Sequence, residues 1–426
     1  MGVHKMKGFE KYYRKSWPER LSVLEHENKL TKTEIQQLEK SALAPELGET
    51  QIENFITQFS LPEGLGLNFV INGKEYLVPM VTEEPSVIAG ASHGAAIVKK
   101  AGGFTAESEQ RAMRGQVIIE NVSNVAELKK EIEDFAPALL QTAIEAHPSI
   151  VKRGGGPLQL VVRVLDHDLL SVDMIIDTKE AMGANMINTM LEAVAAKLRS
   201  DLQVDVLMAI LSNFTTECLV TASCEIPVES LAKENLSGKE IAQKIVQASR
   251  VAQLDPYRAT THNKGIMNGI DAAVIASGND WRAIEAAIQS YAAKDGHYRG
   301  LSTWQIKGEQ LVGQLRIPVP VGSVGGSIGL VPLVQLNSTL RQEQDARELE
   351  NIIASVGLAQ NLAALYALVT DGIQKGHMNL QMKSLAASVG ASGAEVSQVI
   401  KRLKKLPQQD AAAAKKILYE IRNEGF

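Results

Sequence analysis

Between Gln110 and Leu211 the chain alternates strand-like and helix-like stretches in an order that leaves few folds open. Arg114–Val122 reads as a strand and Val125–Ala146 as an amphipathic helix, followed by strand-like Leu158–Leu165 and Leu170–Asp177. Ala181–Leu202 is a second helix and Val204–Leu211 a last strand. The order βαββαβ is that of the split βαβ, or ferredoxin-like, sandwich. Helical sequence lies on both sides, so a small domain is inserted into a larger one. The expected class is α+β, with a large, mostly helical domain at 1–109 and 213–375, the inserted domain at 110–212, and a helical flap at 376–426.

Outside the insert, Pro18–Leu47 reads as two helices, with Thr31-Lys32-Thr33-Glu34 as a capping signal, and Ile52–Phe59 is a further apolar segment. Leu67–Met80 reads as a hairpin around Asn72-Gly73. Helices are expected at Val87–Lys100, Gly238–Gln253, Thr261–Ala276, Asp280–Ala293 and Asp345–Gln374, and a strand pair at Gly300–Pro320.

A chain of 426 residues exceeds one compact core. Its net charge of −5 gives no general electrostatic reason to bind nucleic acid or an anionic membrane. Apolar runs such as Gly329–Leu336 are too short to span a bilayer, and the first residues lack the apolar core of a signal peptide, so a cytoplasmic protein is expected. Cys218 and Cys224 lie six apart with no histidine at ligand spacing, which indicates neither a disulfide framework nor a metal site.

Lys264 stands among glycines, asparagines and apolar residues in THNKGIMNGIDAAVIASGNDWR, with few charges near it. This placement fits a lysine held in a dry site with a task there. It equally fits a buried helix start whose lysine pairs with Asp280 for structure alone. Glu83-Glu84-Pro85-Ser86 puts two carboxylates at a strand-to-helix junction, with Pro85 suited to the first helical turn. The small residues of Glu180–Asn185 would let helix-start N–H groups approach a phosphate, or let helices pack closely. Gly154–Gly156 and Gly322–Gly326 are flexible backbone, and neither GxGxxG after a strand nor GxxxxGK occurs. In the flap, a helix, a glycine-containing turn and a helix with Ser397, Gln398 and Lys401 outward look like a DNA-reading helix-turn-helix. A nucleic-acid-binding regulator is therefore the alternative reading.

Taken together, EEPSVIA (Glu83–Ala89), EAMGANMINTM (Glu180–Met190), DPYRATTHNKGIMNGID (Asp255–Asp271), GNDWRA (Gly278–Ala283), PVGSVGG (Pro320–Gly326), GLAQNLAALYAL (Gly357–Leu368) and GIQKGHM (Gly372–Met378) resemble the class II, bacterial 3-hydroxy-3-methylglutaryl-coenzyme A (HMG-CoA) reductases, in that family's order over most of the chain. The resemblance implies a four-electron reduction of HMG-CoA to mevalonate and free coenzyme A with two NAD(P)H, on the mevalonate route to isoprenoids. It makes Lys264 the cation beside the reacting oxygen and His377, on a mobile tail, the acid for the leaving thiolate. Glu84 becomes the proton donor to the aldehyde, and Asp280 a link between Lys264 and Glu84. Arg258, Ser86, Asn268, Asn213, Gln360 and Asn361 would hold the substrate; Met182, Gly183, Ala184 and Asn185 would hold the dinucleotide phosphates on the small domain. His147 stands where some NAD-preferring members carry an acid, followed by Lys152 and Arg153, which favours NADPH with NADH still open. The resemblance further implies a homodimer, with higher assembly open, in which Glu84 and Lys264 reach a site across the subunit interface, and the apolar helices Val87–Val98 and Ile352–Leu368 suit that contact. No metal, nucleic acid or membrane partner is implied.

Overall fold

Asn72 and Gly73 reverse the chain between β1 (Glu63–Ile71) and β2 (Lys74–Val81) because both take left-handed backbone angles, φ 51° and 81°. Positive φ at both central residues is what a tight hairpin on twisted strands requires, and Asn-Gly supplies it with least strain. The computed structural model describes residues 15–26, 32–39, 45–372 and 382–423. The capping signal at Thr31 falls partly outside them. Two compact units result, divided at Pro62/Glu63.

The first unit carries α1 (Trp17–His26), α2 (Lys32–Leu38) and α3 (Pro45–Gln51). Its anchor is aromatic: Trp17 donates its indole N–H to the Ile56 carbonyl at 2.7 Å, and Phe55 is buried. The apolar run at 52–59 is not one packed element, since Ile52 and Phe59 are exposed.

In the second unit the βαββαβ order appears as read. β4 (Ala112–Glu120), β5 (Gly156–Asp166), β6 (Leu169–Asp177) and β7 (Asp205–Ser212) form an antiparallel sheet in the order β5-β6-β4-β7, with α5 (Val125–Ala146) and α7 (Ala184–Leu202) packed on it and the short α6 (Pro148–Lys152) after α5. Its core draws Val117, Val172, Ile187 and Leu191 together.

A separate core gathers around a second antiparallel sheet, β3-β8-β10-β9, built from Thr105–Ser108, Leu219–Pro227, Gln310–Pro318 and Ser302–Lys307. Helices α4 (Val87–Lys100), α8 (Gly238–Leu254), α9 (Pro256–Ala276), α10 (Trp281–Ala292) and α12 (Ala346–Val369) share this core, and α11 (Pro332–Arg341) lies beside it. The faces of α4 and α12 that suited a subunit contact are used within the chain: the two helices pack so closely that a Cβ on Gly94 would sit 2.0 Å from the Ala359 carbonyl oxygen. By length and mean hydropathy, 1.8, α12 could cross a membrane, contrary to the expectation from the shorter runs, yet 72% of that stretch is buried inside the protein. Its apolar character fits a helix buried all round.

Arg111 and Glu350, 4% and 1% exposed, pair where the small sheet joins this body. Arg111 also donates to the carbonyls of Lys179 (2.9 Å) and Val321 (2.8 Å), tying four segments together. Removing one partner of such a buried pair costs about 3–5 kcal/mol. At the C-terminal end, residues 382–388 (α13), α14 (Ala394–Leu403) and α15 (Ala411–Asn423) bury Met382, Val399 and Leu418 together, and Ser397, Gln398 and Lys401 face outward as expected.

Candidate functional site

Asp255 decides where α9 begins. Its carboxylate accepts from the N–H groups of Tyr257 and Arg258 while Pro256 occupies the first helical position, so the helix starts five residues before the expected Thr261. Lys264 is therefore in the helix body, and Arg258, Lys264 and Asn268 come to one wall of a cavity of about 480 Å³. Glu84 and Ser86 from the β2–α4 turn, His93 from α4, Thr261 and His262 from α9, and Gln360 and Asn361 from α12 add to the polar lining.

Lys264 does not pair with Asp280. Its Nζ lies 2.8 Å from Glu84 Oε2, and the two side chains are 62% and 34% exposed, so within one chain the site is wet rather than dry. Pro85 precedes the helix instead of entering it, and Ser86 takes the cap position at φ 84°. Left-handed backbone at a non-glycine residue is a strain of order 1–3 kcal/mol that clusters at ligand sites. Burial lowers the Arg258 pKa, and among the described residues no carboxylate pairs with that guanidinium. A partly buried cation in a cavity wall, with no carboxylate partner among the described residues, is suited to an anionic ligand group.

Asp280 lines a different cavity, of about 600 Å³, walled by three segments around Met182–Asn185, Gly278–Arg282 and Val324–Gly326. The carboxylate caps α10, accepting from Arg282 N at 3.0 Å and Ala283 N at 3.2 Å, with the Arg282 guanidinium 3.5 Å away. The bridge expected from Asp280 to Lys264 and Glu84 is thus absent within one chain. Backbone fixes this second cavity. Asn279 exchanges hydrogen bonds with both backbone groups of Gly322 (3.0 and 2.8 Å), and Ser323 donates to Glu180 through N–H (2.8 Å) and hydroxyl (2.6 Å). Gly183 caps α7 at φ 89°, where a Cβ would lie 2.8 Å from Thr178 Cγ2. With no side chain capping α7, the first N–H groups of that helix can serve an anion.

Asn213 is exposed at the end of β7 and lines neither cavity. His147 caps α6, its Nδ1 3.2 Å from Ser149 Oγ, and Arg153 reaches the same hydroxyl at 3.5 Å. His377 lies outside the described residues. His262, not singled out from the sequence, lines the first cavity with Arg258 and Lys264; a histidine four residues after Arg258 on one helix face was the available signal.

An α+β chain in which two histidines, two cations and a carboxylate share one cavity, while a helix start without a side-chain cap opens on another, has parts suited to an enzyme acting on anionic ligands. The Hydroxymethylglutaryl-coenzyme A reductase family model matches residues 16–382. A 3-hydroxy-3-methylglutaryl-coenzyme A reductase of Archaeoglobus fulgidus is 39% identical over 97% of this chain and 94% of its own length. A probable reductase of the same name from Borreliella burgdorferi is 32% identical over 88% of this chain and 87% of its own. Among solved structures, the class II enzyme of Streptococcus pneumoniae bound to NADPH in open conformations is 49% identical, covering 96% of this chain and 100% of that one, with a TM-score of 0.76. The chain belongs to the hydroxymethylglutaryl-coenzyme A reductase family.

Proposed function

We propose that the protein reduces HMG-CoA to mevalonate and free coenzyme A with two nicotinamide hydrides, and that it prefers NADPH. The observation that carries this reading is the Lys264–Glu84 pair at 2.8 Å in a cavity whose other cation, Arg258, lacks a carboxylate partner among the described residues. The first hydride addition builds negative charge on the thioester oxygen. Lys264, a fixed cation, stabilises that charge. Collapse of the hemithioacetal expels a thiolate, which His377 protonates; Glu84, held against Lys264, then gives its proton as the aldehyde oxygen becomes an alcohol. Arg258 holds the substrate carboxylate and Asn268 its polar neighbourhood.

The nicotinamide dinucleotide supplies the hydrides when bound. Gly183 and the uncapped start of α7 hold its phosphates, which assigns the small-sheet unit at 110–212 to cofactor binding and the rest, 1–109 and 213–375, to substrate and subunit contact. His147 and Arg153, sharing the Ser149 hydroxyl, would receive a 2′-phosphate without the repulsion an acid would cause. NADPH bound to the pneumococcal relative supports the same preference.

Asp280 sits in the cofactor cavity while Glu84 and Lys264 sit in the other, which favours a homodimer that sets one cavity against its partner's counterpart. The exposed Leu65, Leu67 and Leu77 of the hairpin, with Leu333 and Leu336 of α11, offer an apolar face for that contact. The flap at 376–426 carries His377 to the site. The nucleic-acid alternative gains nothing from the family or the similar structures.

The test is oxidation of NADPH by the purified chain with HMG-CoA and, separately, with mevaldehyde. Both should be consumed by the wild type, and His377→Ala should lose the thioester reaction while keeping aldehyde reduction, since no thiolate leaves there. Absence of any HMG-CoA-dependent oxidation with either nucleotide sinks the reading.

A further inference from the structure

Arg282 stands in the wall of the cavity at the start of α7, and no role above uses it. Among the described residues that line this cavity the charged side chains are Asp280 and Arg282, so Arg282 is its cation. The Asp280 carboxylate is occupied by the N–H groups at the start of α10. The Arg282 guanidinium makes no hydrogen bond among the described residues. It lies 3.5 Å from Asp280, an ion-pair distance, and at 70% exposure such a pair is weak enough to give up. Its Cζ is 5.6 Å from the centre of the Trp281 ring, within the range at which an aromatic face attracts a cation. The guanidinium is therefore held at the cavity with its N–H fork unspent.

The other two walls define what that fork would meet. In α7 the hydrogen-bond ladder begins with Ile187, whose N–H donates to the Gly183 carbonyl at 2.9 Å. The N–H groups of Ala184, Asn185 and Met186 thus have no acceptor within the helix, no side chain caps them, and these residues line the cavity. In the third wall Gly325 and Gly326 take φ 93° and 54°, and a Cβ on either would meet nothing within 4 Å. That wall leaves room and adds no side chain. A helix start offers roughly half a positive charge, against a full negative charge on each phosphate of a pyrophosphate. Backbone alone leaves most of that charge uncompensated. A guanidinium supplies the remainder, with a planar fork that matches phosphate oxygens in pairs.

We propose that Arg282 binds the pyrophosphate of the nicotinamide dinucleotide together with the start of α7, and that Trp281 is a positioning residue for its guanidinium. This rests on the reading of this cavity as the cofactor site. His147 and Arg153, assigned to the 2′-phosphate, lie outside its lining, so Arg282 serves NADPH and NADH alike.

The test is calorimetric binding of NADPH, NADH and HMG-CoA, each alone, to the full-length chain. Arg282→Met should raise Kd for both nucleotides by one common factor of roughly ten to a hundred, the range for hydrogen bonds to a charged group, and leave Kd for HMG-CoA unchanged. Arg282→Lys, which keeps the charge and loses the fork, should fall between. The side chain is exposed, so both variants should melt with the wild type. Trp281→Leu should weaken both nucleotides less, and should add nothing in the Arg282→Met background, since a positioning residue acts only through the group it holds. A Trp281→Leu effect that persists there ends the positioning role. Weakening confined to NADPH would assign the guanidinium to the 2′-phosphate, weakening confined to HMG-CoA would assign it to coenzyme A, and no change in any of the three would leave it to solvent; each overturns the proposal. Gly183→Ala separates this from the reading beneath it. If that variant weakens nucleotide binding while Arg282→Met does not, the cavity holds the cofactor and only the arginine assignment falls; if neither does, both fall.

Discussion

The two cavities are built on opposite principles. Around Lys264 the work is done by side chains: a cation, a carboxylate, a guanidinium and two histidines, projected from α9, α4 and the turn before α4. Around Gly183 it is done by backbone, with three loop segments tied by Asn279 and Glu180 and one helix start left uncapped. A side-chain site selects by charge and can lose its chemistry through one substitution without unfolding. A backbone site selects by shape, and what damages it is an added Cβ. The difference predicts which measurement each kind of change should move.

Lys264→Ala should produce the largest effect, a fall of about 10³-fold or more in turnover of both HMG-CoA and mevaldehyde, the scale expected when a group stabilising a developing oxyanion is removed. Stability should barely change, because an exposed ion pair such as this one contributes about 0–1 kcal/mol. Retained aldehyde reduction would show that the cation acts only at the thioester. Next in size, Gly183→Ala forces a side chain into φ 89° and against Thr178 and Met186. The left-handed conformation alone costs roughly 1–2 kcal/mol. KM for NADPH should rise by about tenfold, the equivalent of 1.4 kcal/mol, with KM for HMG-CoA little altered. Equal movement of both constants would mean that the cavities do not divide the labour.

The same contrast separates what the sequence made legible from what it did not. The βαββαβ order and the Asn72-Gly73 hairpin follow from local periodicity and turn chemistry, which depend on neighbours in the chain. β8 escaped notice because Leu219–Pro227 gains its strand character from lying between β3 and β10, contacts more than a hundred and about ninety residues apart in sequence. For the site, Glu84, Arg258, Lys264, Asn268 and Gln360 were found by motif and do share a cavity. Asp280 was found too; within one chain it caps α10 in the other cavity, so the link expected from it to Lys264 and Glu84 is one that a partner subunit would have to complete. His262 was passed over because its partners, Ser302 and Asn361, lie 40 and 99 residues away in sequence, and pattern reading cannot bring them to it.

The last effect leaves turnover alone and falls on stability, in the helix pair that serves both cavities, since α9 carries Lys264 and α10 begins at Asp280. Asp271 of α9 faces Glu285 of α10, and one of its oxygens is buried without a partner. Burial first, then the Glu285 charge and hydrogen bond, push the Asp271 pKa up to about 8. The folded chain therefore holds a proton that the unfolded chain releases above its ordinary value of 3.8. Between these two values the unfolded state binds fewer protons, so this group makes stability fall as pH rises. Asp271→Asn keeps a donor toward Glu285 and removes the titration. At pH 7 it should stabilise the fold by on the order of 2 kcal/mol, allowing for partial exposure of the pair. The gain should shrink as pH falls and vanish below about pH 4, where the aspartate is protonated in both states. Thermal melts of the two proteins across that range decide it: a difference in Tm that does not change with pH would mean that the carboxyl pair is ionised in the fold and that α9 and α10 are held by their apolar contacts alone.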